Sequence, residues 1–214
     1  MNSTFSIAII DYKMSNMFSI KKALDTLGFN AEITSEKNKI LMADGAVLPG
    51  VGSFPEAMKH LSDLDLIEVI KTFISSGKPF MGICLGLQLL FSKSEEFGYC
   101  EGLGIFDGNV ESFTQQGIKQ VPHVGWNRIV KHFPNSKKKS DPFKKIESGE
   151  YFYFVHSYYV NPNYESDIYT TSEYEGFKFC SSVLRDNVFA CQFHPEKSSK
   201  KGLNILKEYF QINN

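Results

Sequence analysis

Over its first ninety residues the chain alternates short, continuous apolar runs with segments of helical period. Residues 5–10 read as a buried strand. Asn16 caps a helix that carries Met17, Ile20, Leu24 and Leu27 on one face and stops at Gly28. Residues 30–34 read as a second strand and 46–48 as a third, stopped by Pro49-Gly50-Val51-Gly52. Ser53 caps a helix with Met58 and Leu61, and another helix runs over 64–74 and ends at Gly77. Residues 79–83 form a further strand, followed by a helix-like run at 85–91. Continuous apolar strands alternating with helices predict a parallel sheet covered on both faces. Beyond residue 98 the grammar changes: 103–113, 121–131, 151–160, 167–173, 176–184 and 188–193 read as strands joined by turns. A closing helix over 198–210 presents Leu203, Leu206, Tyr209 and Phe210 as its apolar stripe. The predicted class is α/β, a mostly parallel central sheet flanked by helices, with additional antiparallel strands in the C-terminal half.

Length and composition fit this picture. The 214 residues suit one α/β domain, and 42% hydrophobic residues supply a sizeable core. A formal net charge of -1 gives no reason to expect nucleic acid or a membrane as partner. The lysine-rich stretch at 134–150 reads as a solvated loop. The N-terminus lacks a basic region before its apolar run, which Asp11 interrupts, so no signal peptide or spanning segment is expected. None of the four cysteines (Cys84, Cys100, Cys180, Cys191) forms a Cys-x-x-Cys pair, and a two-residue turn at Asp186-Asn187 would put Cys180 across from Phe193 rather than Cys191. A reducing cytoplasm is the compartment these features suggest. The chain has no phosphate-binding loop and no ligand set for a metal, and no cofactor is expected.

The chemistry concentrates in two places. Cys84 lies in Gly-x-Cys-x-Gly between a strand and a helix, the context of a nucleophile elbow with sulfur in place of a hydroxyl. Small residues on either side allow a tight, strained turn, and the amides that follow, starting at Leu85, can bind an oxyanion. The second place is Gln192-Phe193-His194-Pro195-Glu196. In an extended segment, residues two apart point the same way, so Glu196 can accept from one ring nitrogen of His194 while the other faces Cys84. This is the nucleophile, base and orienter of a triad.

These motifs resemble those of the class I (triad-type) glutamine amidotransferases, and within them those of the glutaminase subunits of imidazole glycerol phosphate synthases. The resemblance covers nearly the whole chain as a single domain, 1–214. It rests on Asp11-Tyr12 with Asn16, Pro49 to Phe54, Gly82 to Gln88, Pro122-His-Val-Gly-Trp-Asn127, Tyr153 to Tyr158, and Gln192 to Ser198. It implies Cys84 as nucleophile, His194 as base and Glu196 as orienter. It also implies oxyanion amides at Gly52 and Leu85, and glutamine held by Gly50, Gln88 and the His156-Ser157-Tyr158 segment. Ammonia would pass to a (β/α)8 cyclase subunit in a heterodimer, with Tyr12, Asn16, Trp126 and Asn127 near the interface. A peptide flip at Val51, made sterically cheap by the flanking glycines, would add an oxyanion donor when the partner binds.

Lys13 and Ser15 stand where the family often has glycine, and Ala190-Cys191 replaces a more usual Gly-Val. Two acceptors therefore remain open at the level of sequence: a cyclase that makes imidazole glycerol phosphate in histidine synthesis, or a cyclase-like partner that amidates a surface-polysaccharide sugar.

Overall fold

The computed structural model describes residues 5–14, 17–132 and 141–212. Its first half runs β1 (Ser6–Ile10), α1 (Met17–Thr26), β2 (Asn30–Thr34), α2 (Lys37–Met42), β3 (Gly45–Gly50), α3 (Phe54–Asp63), α4 (Ile67–Ser75) and β4 (Phe80–Cys84). α5 (Leu85–Leu89) leaves β4 with no intervening loop. Then come β5 (Phe91–Ser94), β6 (Cys100–Glu101), β7 (Phe106–Ser112), β8 (His123–Arg128), β9 (Val130–Lys131), β10 (Tyr151–His156) and β11 (Tyr158–Pro162). β12 (Ile168–Tyr174), β13 (Phe177–Arg185), β14 (Val188–Cys191) and α6 (Ser199–Ile212) complete the chain.

The main sheet has the order β2-β1-β3-β4-β14-β13-β11-β7-β5-β6. β2, β1, β3, β4 and β14 are mutually parallel, and the pairings through β13, β11 and β7 are antiparallel. The reason lies in the strands. Ile7 and Ile9 face one side with Met81 and Ile83, against α1 and α6. Ala8 and Ile10 face the other with Leu48 and Phe80, against α3, α4 and α5. Both faces are dry, so the strands carry no polar alternation, and each fully buried Ile, Leu or Phe contributes about 1.5–3 kcal/mol. Among the described residues, no helix is long and apolar enough to cross a membrane.

Several sequence expectations change. The helix-like run at 85–91 stops at Leu89, because Phe91 enters β5. The single strand expected over 151–160 is two strands: β10 pairs with β8 in a separate hairpin, β11 joins the main sheet, and Ser157 is the corner between them. The sequence reading had no counterpart to α2, β5 or β6. The turn at Asp186-Asn187 stands as expected: Arg185 opposes Val188 and Ser182 opposes Cys191, a register that carries Cys180 toward Phe193, and all four cysteines are free. Asn16 and the lysine run 137–139 lie outside the described residues. Within the rest of that segment, Lys145 pairs with Glu208 at 2.5 Å.

Candidate active site

The elbow begins where β4 ends. Cys84 has φ 56° and ψ -112°, a left-handed conformation that costs energy for a side-chain-bearing residue. The two glycines of the motif serve a different purpose from the strained turn expected of them. A Cβ on Gly86 would lie 1.8 Å from the Leu48 carbonyl oxygen, and one on Gly82 would lie 2.9 Å from the Gly86 carbonyl oxygen. They let α5 press directly on β3 and β4, while Cys84 alone holds the strained conformation.

Cys84 lines a cavity of about 530 Å³ together with Val51, Gly52, Leu85, Gln88, Glu96, Ser157, Tyr158 and His194. His194 Nδ1 lies 2.8 Å from Glu196 Oε1, and both side chains are buried. His194 Nε2 is buried and has no hydrogen-bond partner among the described residues. Burial opposes a charge on this imidazole, but the nearby Cys84 sulfur and the Glu196 carboxylate outweigh it and raise its pKa to about 10. The Cys84 sulfur points toward the Val155 carbonyl at 3.8 Å and receives the Gln192 amide at 3.7 Å. Catalytic hydrogen bonds are often loose before substrate binds, so this geometry is compatible with a triad.

Gln88 is buried and donates from Nε2 to the Tyr158 carbonyl at 3.0 Å and to Gln192 Oε1 at 3.1 Å. Gln192 thus connects the predicted substrate residue to the nucleophile. The sequence reading saw it only as a letter of the histidine motif.

The segment above the elbow is tightly fitted. A Cβ on Gly50 would lie 2.3 Å from Tyr12 Oη and 2.8 Å from Leu85 Cβ. Gly52 sits at φ 94°. The Val51 N–H donates to the Met14 carbonyl at 2.9 Å, away from the cavity. Leu85 N begins α5, where a helix leaves its amides without intrahelical acceptors.

One interface expectation needs correction. Tyr12 is fully buried, and its hydroxyl donates to the Pro49 carbonyl at 2.8 Å. An aromatic ring with a satisfied hydroxyl belongs in the core, so Tyr12 supports the Pro49–Gly52 segment from beneath and offers no outer surface. Asn127 turns its amide inward, donating to His123 Nε2 at 3.2 Å and to the Glu173 carbonyl at 2.8 Å. Trp126 is 52% exposed and packs edge-on against Tyr153, whose ring centroid lies 6.5 Å from that of His194.

Glu96 is a site residue the sequence reading missed. It is buried in the cavity wall and accepts the Phe54 N–H at 2.7 Å. It therefore caps α3 in place of the predicted Ser53, whose side chain makes no capping bond. Burial raises its pKa, and the Phe54 N–H partly offsets this. The two residues are 42 positions apart, and no local pattern links them.

Comparison with known proteins agrees with this architecture. The glutamine amidotransferase class-I family model matches residues 8–212. The imidazole glycerol phosphate synthase subunit HisH of Caldanaerobacter subterraneus subsp. tengcongensis is 49% identical over 96% of this chain and 98% of its own. The same-named subunit of Aquifex aeolicus is 48% identical over 94% of both. PurLQS from Thermotoga maritima shares the fold, with a TM-score of 0.75 at 18% identity over 98% of this chain and 99% of its own. A strained cysteine elbow on a parallel sheet, a buried His–Glu pair facing it, and near-half identity to these subunits lead to one assignment: the chain belongs to the class I glutamine amidotransferase family, in the branch of the HisH subunits of imidazole glycerol phosphate synthase.

Proposed function

We propose that the chain hydrolyses L-glutamine to glutamate and ammonia and delivers the ammonia to a (β/α)8 cyclase subunit with which it forms a heterodimer, for imidazole glycerol phosphate formation in histidine biosynthesis. The observation that carries this reading is the gathering of Cys84, His194, Gln88 and Glu96 around one cavity of amino-acid size. The relatives named above support the histidine branch over a sugar-modifying one.

Glutamine enters with its carboxamide toward Cys84. Its α-ammonium faces the Glu96 carboxylate, and its backbone groups meet Gln88 and the Ser157–Tyr158 corner. The Cys84 sulfur attacks the carboxamide carbon, and the developing oxyanion takes the amides of Leu85 and of the Val51–Gly52 segment. The departing nitrogen takes a proton from the His194 imidazolium and leaves as ammonia, with a γ-glutamyl thioester remaining on sulfur. His194 then removes a proton from water, which attacks the thioester, releases glutamate and returns the sulfur. Glu196 orients the imidazole and stabilises its charge throughout. Exposed Trp126 and Val124 on β8, with exposed Val51, offer the apolar surface for the cyclase.

The test is ammonia release from glutamine by the purified chain with an imidazole glycerol phosphate cyclase present. Product formation driven by glutamine supports the reading. Turnover of glutamine with no coupling to that cyclase, but coupling to a sugar-modifying partner, would replace it.

A further inference from the structure

From the cavity lining, which includes His156, a chain of hydrogen bonds runs inward with its direction fixed at both ends. At one end the Tyr158 carbonyl lies 2.8 Å from His156 Nδ1. A carbonyl only accepts, so His156 carries its proton on Nδ1, and in the neutral ring Nε2 is then an acceptor. His156 Nε2 lies 2.9 Å from His123 Nδ1, which must therefore donate. His123 Nε2 is left as the acceptor, and it meets Asn127 Nδ2 at 3.2 Å. The orientation of that amide is set independently: Nδ2 also donates to the Glu173 carbonyl at 2.8 Å, and Oδ1 accepts the Arg128 N–H at 2.7 Å. One assignment of protons satisfies every contact.

The surroundings enforce that assignment. Both histidines are buried among aromatic rings, with Tyr174 stacked on His123 at 4.1 Å and Phe113 at 5.2 Å from His156. Burial lowers the pKa of His123 to about 4 and, with help from its neighbours His123 and His194, that of His156 to about 3, so both rings are neutral near pH 7.

The backbone that this chain reaches is the corner where β10 leaves the hairpin and β11 enters the main sheet. Inside the corner the Tyr158 carbonyl accepts from His156 and from Gln88, and the Ser157 carbonyl accepts the Phe113 N–H at 3.2 Å. We propose that His123 is a positioning residue for glutamine binding: by donating from Nδ1 it fixes the tautomer of His156, and through it the Ser157–Tyr158 corner that lines the substrate cavity. It touches no substrate and acts through His156. The inference rests on the glutaminase reading above.

The test has two arms. In the full-length chain labelled with ¹⁵N-histidine, His156 and His123 should both appear as neutral Nδ1–H tautomers at pH 7. A proton on Nε2 of His156 would overturn the proposal without any variant. In the complex with the cyclase, His123→Phe keeps an aromatic ring but leaves a buried acceptor unpaired, and should raise KM for glutamine about tenfold while kcat changes less than about twofold. His123→Asn, whose amide nitrogen can stand where Nδ1 stood, should bring KM back to within about threefold of wild type. An unchanged KM in His123→Phe, or equal losses in both variants, would reduce His123 to a packing residue. A wild-type complex that releases no ammonia from glutamine would sink the glutaminase reading and this one together, whereas a working wild type with an indifferent His123→Phe sinks only this one.

Discussion

Val51 donates its backbone N–H to the carbonyl of Met14 at 2.9 Å, so an amide beside the nucleophile is occupied by the N-terminal loop. In the proposed mechanism this leaves Leu85 N at the oxyanion site and withholds the Val51 donor. Gly50 and Gly52 flank Val51, and Gly52 already sits at φ 94°, so rotation of the intervening peptide meets little steric resistance. A partner that favours the rotated state shifts the population toward it. One oxyanion donor is worth about 10²–10³ in rate. The isolated chain should therefore hydrolyse glutamine more slowly than the cyclase complex by about that factor, read from steady-state ammonia release. A free chain already at the complexed rate would remove the switch.

Cys84→Ala should abolish glutamine hydrolysis, since alanine forms no thioester. The cyclase in the same complex should still make product from added ammonium salts at raised pH, where more of the salt is ammonia. A glutamine-mimicking electrophile should label Cys84 alone. Burial pushes the thiols of Cys180 and Cys191 up and that of Cys100 up in part, leaving them poor nucleophiles. Peptide mapping that places the label on Cys191 would argue against the elbow assignment.

The parts of the fold that were legible in the sequence are those set by short-range pattern. β1, β3 and β4 are unbroken apolar runs because both sheet faces are dry. Cys84 and the His194–Glu196 pair stand in local motifs, although Glu196 reaches His194 Nδ1 from a 3₁₀ turn over Pro195–Lys197, where the sequence suggested an extended segment. The rest depends on long-range contacts. Glu96 caps α3 from 42 residues away, and Gln192 reaches both Gln88 and Cys84 across more than a hundred positions. The break at Ser157 was invisible because the apolar pattern continues through it while the pairing partner changes from β8 to β7. Tyr12 was misplaced because a motif position says nothing about burial; its ring is packed under Pro49.

Acid should destabilise the fold through the buried histidine pair. His123 and His156 have folded pKa values near 4 and 3, below their ordinary value of 6.5. Between these limits the unfolded chain binds protons that the folded chain does not, so stability falls as pH drops from 6.5 toward 4. His194 works in the opposite window. Its pKa is raised to about 10, so its contribution is full below 6.5 and fades as pH rises toward 10. Urea unfolding between pH 7 and pH 4 should show midpoints that decline less steeply in His123→Phe than in wild type, because one of the two titrating rings is gone. Identical slopes in the two proteins would mean that His123 takes up its proton in the folded chain as readily as in the unfolded one.

Glu196→Gln should impair turnover less than His194→Ala. Glu196 holds the imidazole by one hydrogen bond at 2.8 Å, whereas in the proposed mechanism His194 moves a proton in both halves of the reaction. A general acid–base group is worth about 10²–10⁴ in rate, and His194→Ala should lose that range. Glutamine at position 196 can still hydrogen-bond to Nδ1, but it removes the charge that helps raise the His194 pKa. The pH at which His194 loses its proton should therefore move downward in Glu196→Gln. Groups that act as one unit lose activity non-additively, so the double variant Cys84→Ala/His194→Ala should be no worse than Cys84→Ala alone. Ammonia release from glutamine in the cyclase complex measures each loss directly. If Glu196→Gln matched His194→Ala in both rate and pH profile, the carboxylate would be taking part in proton transfer itself, and its place as orienter would be wrong.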